Sequence, residues 1–175
     1  MDNQLLDESF AEVKEMGQLA SFGQRLGALL IDAFIIIFLV VLVFFAAGGF
    51  QYIEAVFSQD SEALEGITEE NVLIKYYIFI IVIAVAQWLY YALMESSDKQ
   101  GTLGKMAMGL IVTDMLGQKL TFGKASVRFW VRTLPSYIPF NIGLLYSLVD
   151  GFSQLGTSNK QTIHDIVAGT LVYNK

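Results

Sequence analysis

Residues 21–49 read SFGQRLGALLIDAFIIIFLVVLVFFAAGG, and from Leu26 to Ala47 every position except Asp32 is apolar or glycine. A helix rises about 1.5 Å per residue, so this run is long enough to cross a hydrocarbon core roughly 30 Å thick. Arg25 stands at its entrance, and Asp32 lies seven residues further in. In a helix that spacing returns to nearly the same face, roughly 10 Å along the axis. A lone carboxylate inside a spanning helix is costly and normally faces a partner or a wet cavity, which makes Asp32 a functional candidate.

The composition agrees with a membrane setting. The 175 residues form one domain-sized unit, 54% hydrophobic and only 16% charged, with mean hydropathy +0.52. A soluble domain carries nearer a quarter charged residues, and here the apolar excess is gathered in long runs. There is no Cys, which excludes disulfides and thiol chemistry, and a single His, which excludes multi-His metal centres. A net charge of −6 disfavours nucleic acid, whose binding needs clustered Lys and Arg. Residues 1–20 are acidic and polar, unlike a signal peptide, and their Leu6, Phe10 and Val13 predict a short N-terminal cytoplasmic helix or tail.

A second span is predicted at about 72–94, since Tyr76–Met94 carries no charge. Tyr76 and Tyr77 at one end and Trp88, Tyr90 and Tyr91 near the other match interfacial aromatic belts. Gln87, the one strongly polar side chain in the run, is expected to bond across to a neighbouring helix. Residues 50–71 carry six acids and no base, whereas residues 95–134 carry six bases against three acids. Basic loops stay cytoplasmic, so the N-terminus is expected inside and the loop 50–71 outside.

Beyond Glu95, Leu110–Asp114 is a β-branched run followed by a turn signal and Lys119–Thr121, which reads as a small hairpin. Thr121 is an N-cap for a helix over Phe122–Leu134 with Val127, Val131 and Leu134 on an apolar stripe. Arg128 and Arg132 fall on another face, reaching for phosphates or carboxylates. Residues 135–152 are apolar but broken by Pro135, Pro139, Asn141 and Gly143. They form either a third crossing or a shallow re-entrant hairpin. Thr170–Tyr173 is strand-like, and its natural partner is Leu110–Asp114, which puts the C-terminus inside and favours re-entry. The fold class expected is an all-α membrane protein: a small helical bundle with two transmembrane helices (about 24–48 and 72–94), a third short or re-entrant hydrophobic element (about 135–152) and a small cytoplasmic β-hairpin.

Several motifs coincide in order. Gln24-Arg25-Leu26-Gly27-Ala28 and Ile31-Asp32-Ala33 open the first span; Gly101-Thr102-Leu103-Gly104-Lys105 and Gly109–Asp114 follow the second; Phe122-Gly123-Lys124-Ala125 leads to Arg128 and Arg132; His164-Asp165-Ile166-Val167-Ala168-Gly169-Thr170 closes the chain. Over residues 21–174 this resembles the RDD family of small, mostly bacterial membrane proteins, named for one arginine and two aspartates. The resemblance implies Arg25 as the arginine, Asp32 as the first aspartate, and Asp165 or Asp114 as the second. For such proteins transport of unidentified ligands is suggested, and cation/proton antiport is proposed for some.

Little else offers chemistry. Gly101–Lys105 is not a phosphate-binding P-loop, because Lys99 stands where the first glycine would have to be. No nucleophile, base and orienting group can be assembled around His164, which reads as a structural hydrogen-bonding residue, so neither an enzyme nor a cofactor or metal is expected. Two functions stand open. One is a transporter or ion/proton exchanger using Asp32, with Arg25 between Asp32 and Asp165 and with Asp114, Arg128, Arg132, His164 and Gln87 in support. The other is a non-transporting scaffold or accessory subunit whose Arg–Asp ion pairs are structural. The expected partners are the lipid bilayer of the inner membrane, a small ion or proton, and other copies of the chain or a larger membrane complex.

Overall fold

The computed structural model describes residues 17–46, 48–58, 69–138 and 142–175. The short helix expected within residues 1–20 lies almost wholly outside them. The chain divides into two compact units, Ala33–Gln87 and the remainder, which joins residues up to Asp32 with Trp88–Lys175.

Helix α1 spans Phe22–Ala46. Its start is set by Ser21 and Gln24: the Gln24 amide donates to the Ser21 hydroxyl at 3.3 Å, and the Ser21 amide donates back to the Gln24 side chain at 2.9 Å. This reciprocal pair satisfies two amides that a helix start leaves open. Along its length only Ala28 and Asp32 are buried, the reverse of a helix in water. Helix α2 covers Gly49–Ser58 and α3 Glu69–Ser96. Two helices, Phe22–Ala46 and Tyr77–Ser96, are long and apolar enough to cross a membrane, with mean hydropathies of 3.2 and 2.0.

In the first-described half of the larger unit, α4 (Leu103–Ala107) leads into β1 (Leu110–Asp114). Then come α5 (Phe122–Thr133), a 3-10 turn (Leu134–Tyr137), α6 (Ile142–Ser153), α7 (Ile163–Ala168) and β2 (Thr170–Asn174). The expected pairing of Leu110–Asp114 with Thr170–Tyr173 forms, and it takes the place of the nearer hairpin with 119–121. β1 runs antiparallel to β2, from Leu110 opposite Asn174 to Asp114 opposite Thr170, while Lys119 keeps only an isolated bridge to Thr113. β2 wins because it brings Leu171, Val172 and Tyr173 into the core, whereas 119–121 brings only Leu120. Leu19 bridges Tyr173 from the other side, so the entry to α1, the sheet and the chain's end meet in one place. Gly169, at φ 61°, makes the left-handed turn from α7 into β2 that a side chain would resist. The core is small: Leu110, Val112, Leu120 and Val172, with alanines from α1, α3 and α5, and Trp88 and Met108 against them.

Thr121 caps α5 as expected, accepting from the Lys124 amide. The arginine face of α5 turns inward at Arg128, which meets carboxylates of the protein, one of its two expected partners. Val127 and Leu134 point outward, and Arg128 is buried with Ala125 and Phe129. Of the small pair at the head of α1, Gly27 packs against the Met108 side chain rather than a second helix, and Gly23 faces open space.

Candidate functional site

The Asp32 carboxylate is 2% exposed and is held by neutral donors. Thr102 Oγ1 donates to Oδ2 at 2.5 Å, and the Gly104 amide and Tyr90 hydroxyl donate to Oδ1, each at 2.8 Å. These same groups build the start of α4. The Tyr90 oxygen accepts the Leu103 amide at 3.0 Å, Asp32 accepts that of Gly104, and the Thr102 oxygen accepts that of Lys105. Three open amides of one helical turn are thereby closed through a single carboxylate on another helix. Gly104 is obligatory here, since a Cβ would overlap the Ala28 carbonyl and stand 2.8–2.9 Å from the Asp32 carboxylate. The Gly101–Lys105 motif is thus the receiving half of the Asp32 site.

A second cluster lies around Asp165, which is fully buried. Arg25 Nη1 reaches its Oδ2 at 2.6 Å and Arg128 Nη2 its Oδ1 at 2.5 Å. Arg128 also pairs with Glu95 at 3.1 Å, and Glu95 in turn with Lys105. His164 Nδ1 lies 2.7 Å from Asp150 Oδ2, and its Nε2 lies 3.3 Å from Arg128 Nη2. A guanidinium can only donate, so Nε2 accepts and Nδ1 donates, a tautomer we assign from these contacts. The ionised groups balance, with Arg25, Lys105 and Arg128 against Glu95, Asp150 and Asp165, which reduces the cost of burying them. Arg25 keeps two buried donors, Nε and Nη2, without an acceptor among the described residues.

The electrostatics follow from this packing. Burial works against the Asp165 charge, but Arg128, His164 and Arg25 outweigh it and hold the carboxyl far below the usual carboxylate range. Burial pushes the His164 ring down from its ordinary value, with Asp165 and Asp150 opposing. Burial also brings the Lys105 ammonium down to about 8, Arg128 adding to the effect and Glu95 resisting it.

Several expectations are corrected by this geometry. Arg25 joins Asp165 but not Asp32, and among the described residues no Lys or Arg pairs with Asp32. A seven-residue spacing puts Arg25 on the right face, but the long guanidinium turns back toward the helix start, where α7 offers a carboxylate. Asp114 sits apart in the 115–118 turn, accepting the Leu116 and Gln118 amides and pairing with Lys124 at 3.3 Å. Arg132 lies over the Tyr91 ring at 5.4 Å and pairs with no carboxylate among the described residues. Gln87 makes no bond across to a neighbouring helix among the described residues. Glu95, Lys105, Asp150, Tyr90, Thr102 and Gly104 were not singled out as site residues. For two of them a signal existed: Glu95 is the first charge after a long apolar run, and Asp150 is the one charge in an otherwise apolar helix.

Comparison with known proteins fits this arrangement. The model of the RDD family matches residues 19–169, which takes in the whole of both clusters. The chain belongs to the RDD family. This RDD protein is 31% identical over 113 residues to an uncharacterized protein, YxaI, of Bacillus subtilis (strain 168), covering 62% of the present chain and 69% of the relative. No solved structure matches significantly.

Proposed function

We propose that this RDD protein is a multi-pass protein of the inner membrane, with α1 and the apolar part of α3 as spans, which exchanges a proton or small cation at Asp32. The observation that carries this reading is the absence, among the described residues, of any cationic side chain on a carboxylate 2% exposed in a spanning helix. In hydrocarbon such a group takes up a proton or meets a cation. Its neighbours Tyr90 Oη and Thr102 Oγ1 are oxygens suited to a hard ion. The charge asymmetry between residues 50–71 and 95–134 favours the Asp165 end facing the cytoplasm. Two spans enclose little interior, which favours a homo-oligomer. The reading includes no enzymatic step.

The test is reconstitution into liposomes loaded with a pH dye. Cation-driven proton movement is expected in the native protein and lost in an Asp32→Asn variant that keeps its unfolding transition. No movement by the native protein with any alkali cation would sink the exchanger. The second reading, a scaffold, is favoured by the same three donors, since Asp32 accepts the Gly104 amide and holds the two hydroxyls that accept the Leu103 and Lys105 amides. It predicts a native protein without flux and an Asp32→Asn variant that is chiefly less stable.

A further inference from the structure

Helix α6 is built inside out for a helix in water. Its one charged side chain, Asp150, is 4% exposed, while Leu144, Leu145, Leu148, Val149 and Phe152 are each at least half exposed. Helix α7 repeats the inversion, burying His164 and Asp165 and exposing Ile166 and Val167, and α5 does so with Arg128 inside and Val127 outside. An apolar face of this extent calls for an apolar covering.

The depth of the segment follows from its contacts. Phe22, the first residue of α1, stacks on Phe152 with ring centroids 5.4 Å apart, which sets the end of α6 level with the entry of the first apolar helix. Helix α5 runs beside the last turns of the second one, through Trp88 Nε1 to Ser126 at 2.9 Å and Arg128 to Glu95. Between them α6 folds back on the 3-10 turn, where a Cβ at Gly143 would stand 3.0 Å from the Pro135 carbonyl oxygen. Twelve residues rise about 18 Å, well short of a hydrocarbon core of roughly 30 Å.

We propose that α5, the 3-10 turn, α6 and α7 form a hairpin embedded in a single membrane leaflet, with the leucine face of α6 against lipid acyl chains. The inference rests on the membrane reading above, because its lipid-facing surface continues that of α1 through the Phe22–Phe152 stack. Lipid is the occupant rather than a second copy because the face is continuous with the exposed apolar surface at the entry of α1 through the Phe22–Phe152 stack, and large side chains dominate it, with Ser147 and Gly151 at its edge. Leu19 before α1 and β2 at the end of the chain, joined by the Leu19–Tyr173 bridge, then share one side of the membrane.

The absence of cysteine makes the test direct. Single cysteines at Leu145 and Val149 of the full chain, carrying an environment-sensitive fluorophore, are placed in phosphatidylcholine vesicles. Loss of fluorescence is expected with lipids doxyl-labelled near the headgroup, less with lipids labelled near the chain end, and none with aqueous iodide. Quenching by iodide, or by neither agent, overturns the proposal, the latter because protein then covers the face. Labelling of Tyr137→Cys by an impermeant maleimide from the side that labels Gln51→Cys also overturns it, by showing a full crossing. Phe38→Cys, in the middle of α1, tests the spanning reading separately through quenching by the deep label.

Discussion

At Gly104 the backbone passes so close to α1 that even a methyl group has nowhere to go without displacing Asp32 or the Ala28 carbonyl. Gly104→Ala is therefore expected to cost about 1–3 kcal/mol, the range for overpacking, read as a shift in chemical unfolding in detergent. Gly123→Ala is the contrast. Its Cβ would meet only the Thr121 hydroxyl at 3.9 Å, and the same measurement should show no loss or a gain of about 0.4–1 kcal/mol. For Asp165 the cost is electrostatic. Asp165→Ala leaves two buried guanidiniums without their shared carboxylate, and a loss of about 3–5 kcal/mol is expected. Arg25→Met should cost less, because Arg128 still neutralises Asp165 and two unpartnered donors disappear with the side chain. At this scale Asp32 was legible as a charge at the wrong depth in an apolar run, and Arg25 as the charge at its entrance. The donors around Asp32 were not, since Tyr90, Thr102 and Gly104 come from 58 to 72 residues away and none is conspicuous by itself.

Among the elements, α7 depends most on its cap. Thr162 accepts the Asp165 amide, and the Asp165 carboxylate accepts the Thr162 amide, so the residue that receives both arginines also closes the helix start. Thr162→Ala is expected to lower stability by about 0.5–2 kcal/mol while Thr162→Ser recovers most of it, as followed by thermal unfolding. The two apolar helices were readable because length and hydropathy alone select them. The sheet was readable as two strand-like runs that partner each other, while the nearer partner at 119–121 satisfied turn chemistry but buries less and keeps only an isolated bridge. The apolar stripe and the arginine face of α5 were both legible, and Arg128 meets carboxylates of the protein; which face turns inward was not, because Glu95 and Asp165 on other helices decide it.

Across the molecule, six of the described helices supply the two clusters, and acid should loosen them in sequence. The folded His164 ring binds its proton less readily than the unfolded ring, so stability is full above the ordinary value of 6.5 and falls as pH drops below it. Asp165, held below its ordinary 3.8, adds a further loss only as pH falls beneath that value. The unfolding temperature should decline between about pH 7 and pH 5, and His164→Gln should flatten that part of the profile while leaving the strongly acid part. A declining profile that the variant leaves unaltered would assign the acid sensitivity to other groups. Removing residues 170–175 should prevent a compact fold altogether, read as loss of a monodisperse peak in detergent, because β1 loses its partner along with Leu171, Val172 and Tyr173. What the sequence determined by itself was the set of long apolar runs, the charge asymmetry between its loops and the anomaly at Asp32, all of which depend on composition within a window. Only the tertiary structure decided which charge meets which. Ion pairs and cap hydrogen bonds form between segments far apart in the chain, and a spacing that selects a helix face leaves the direction of a long side chain open.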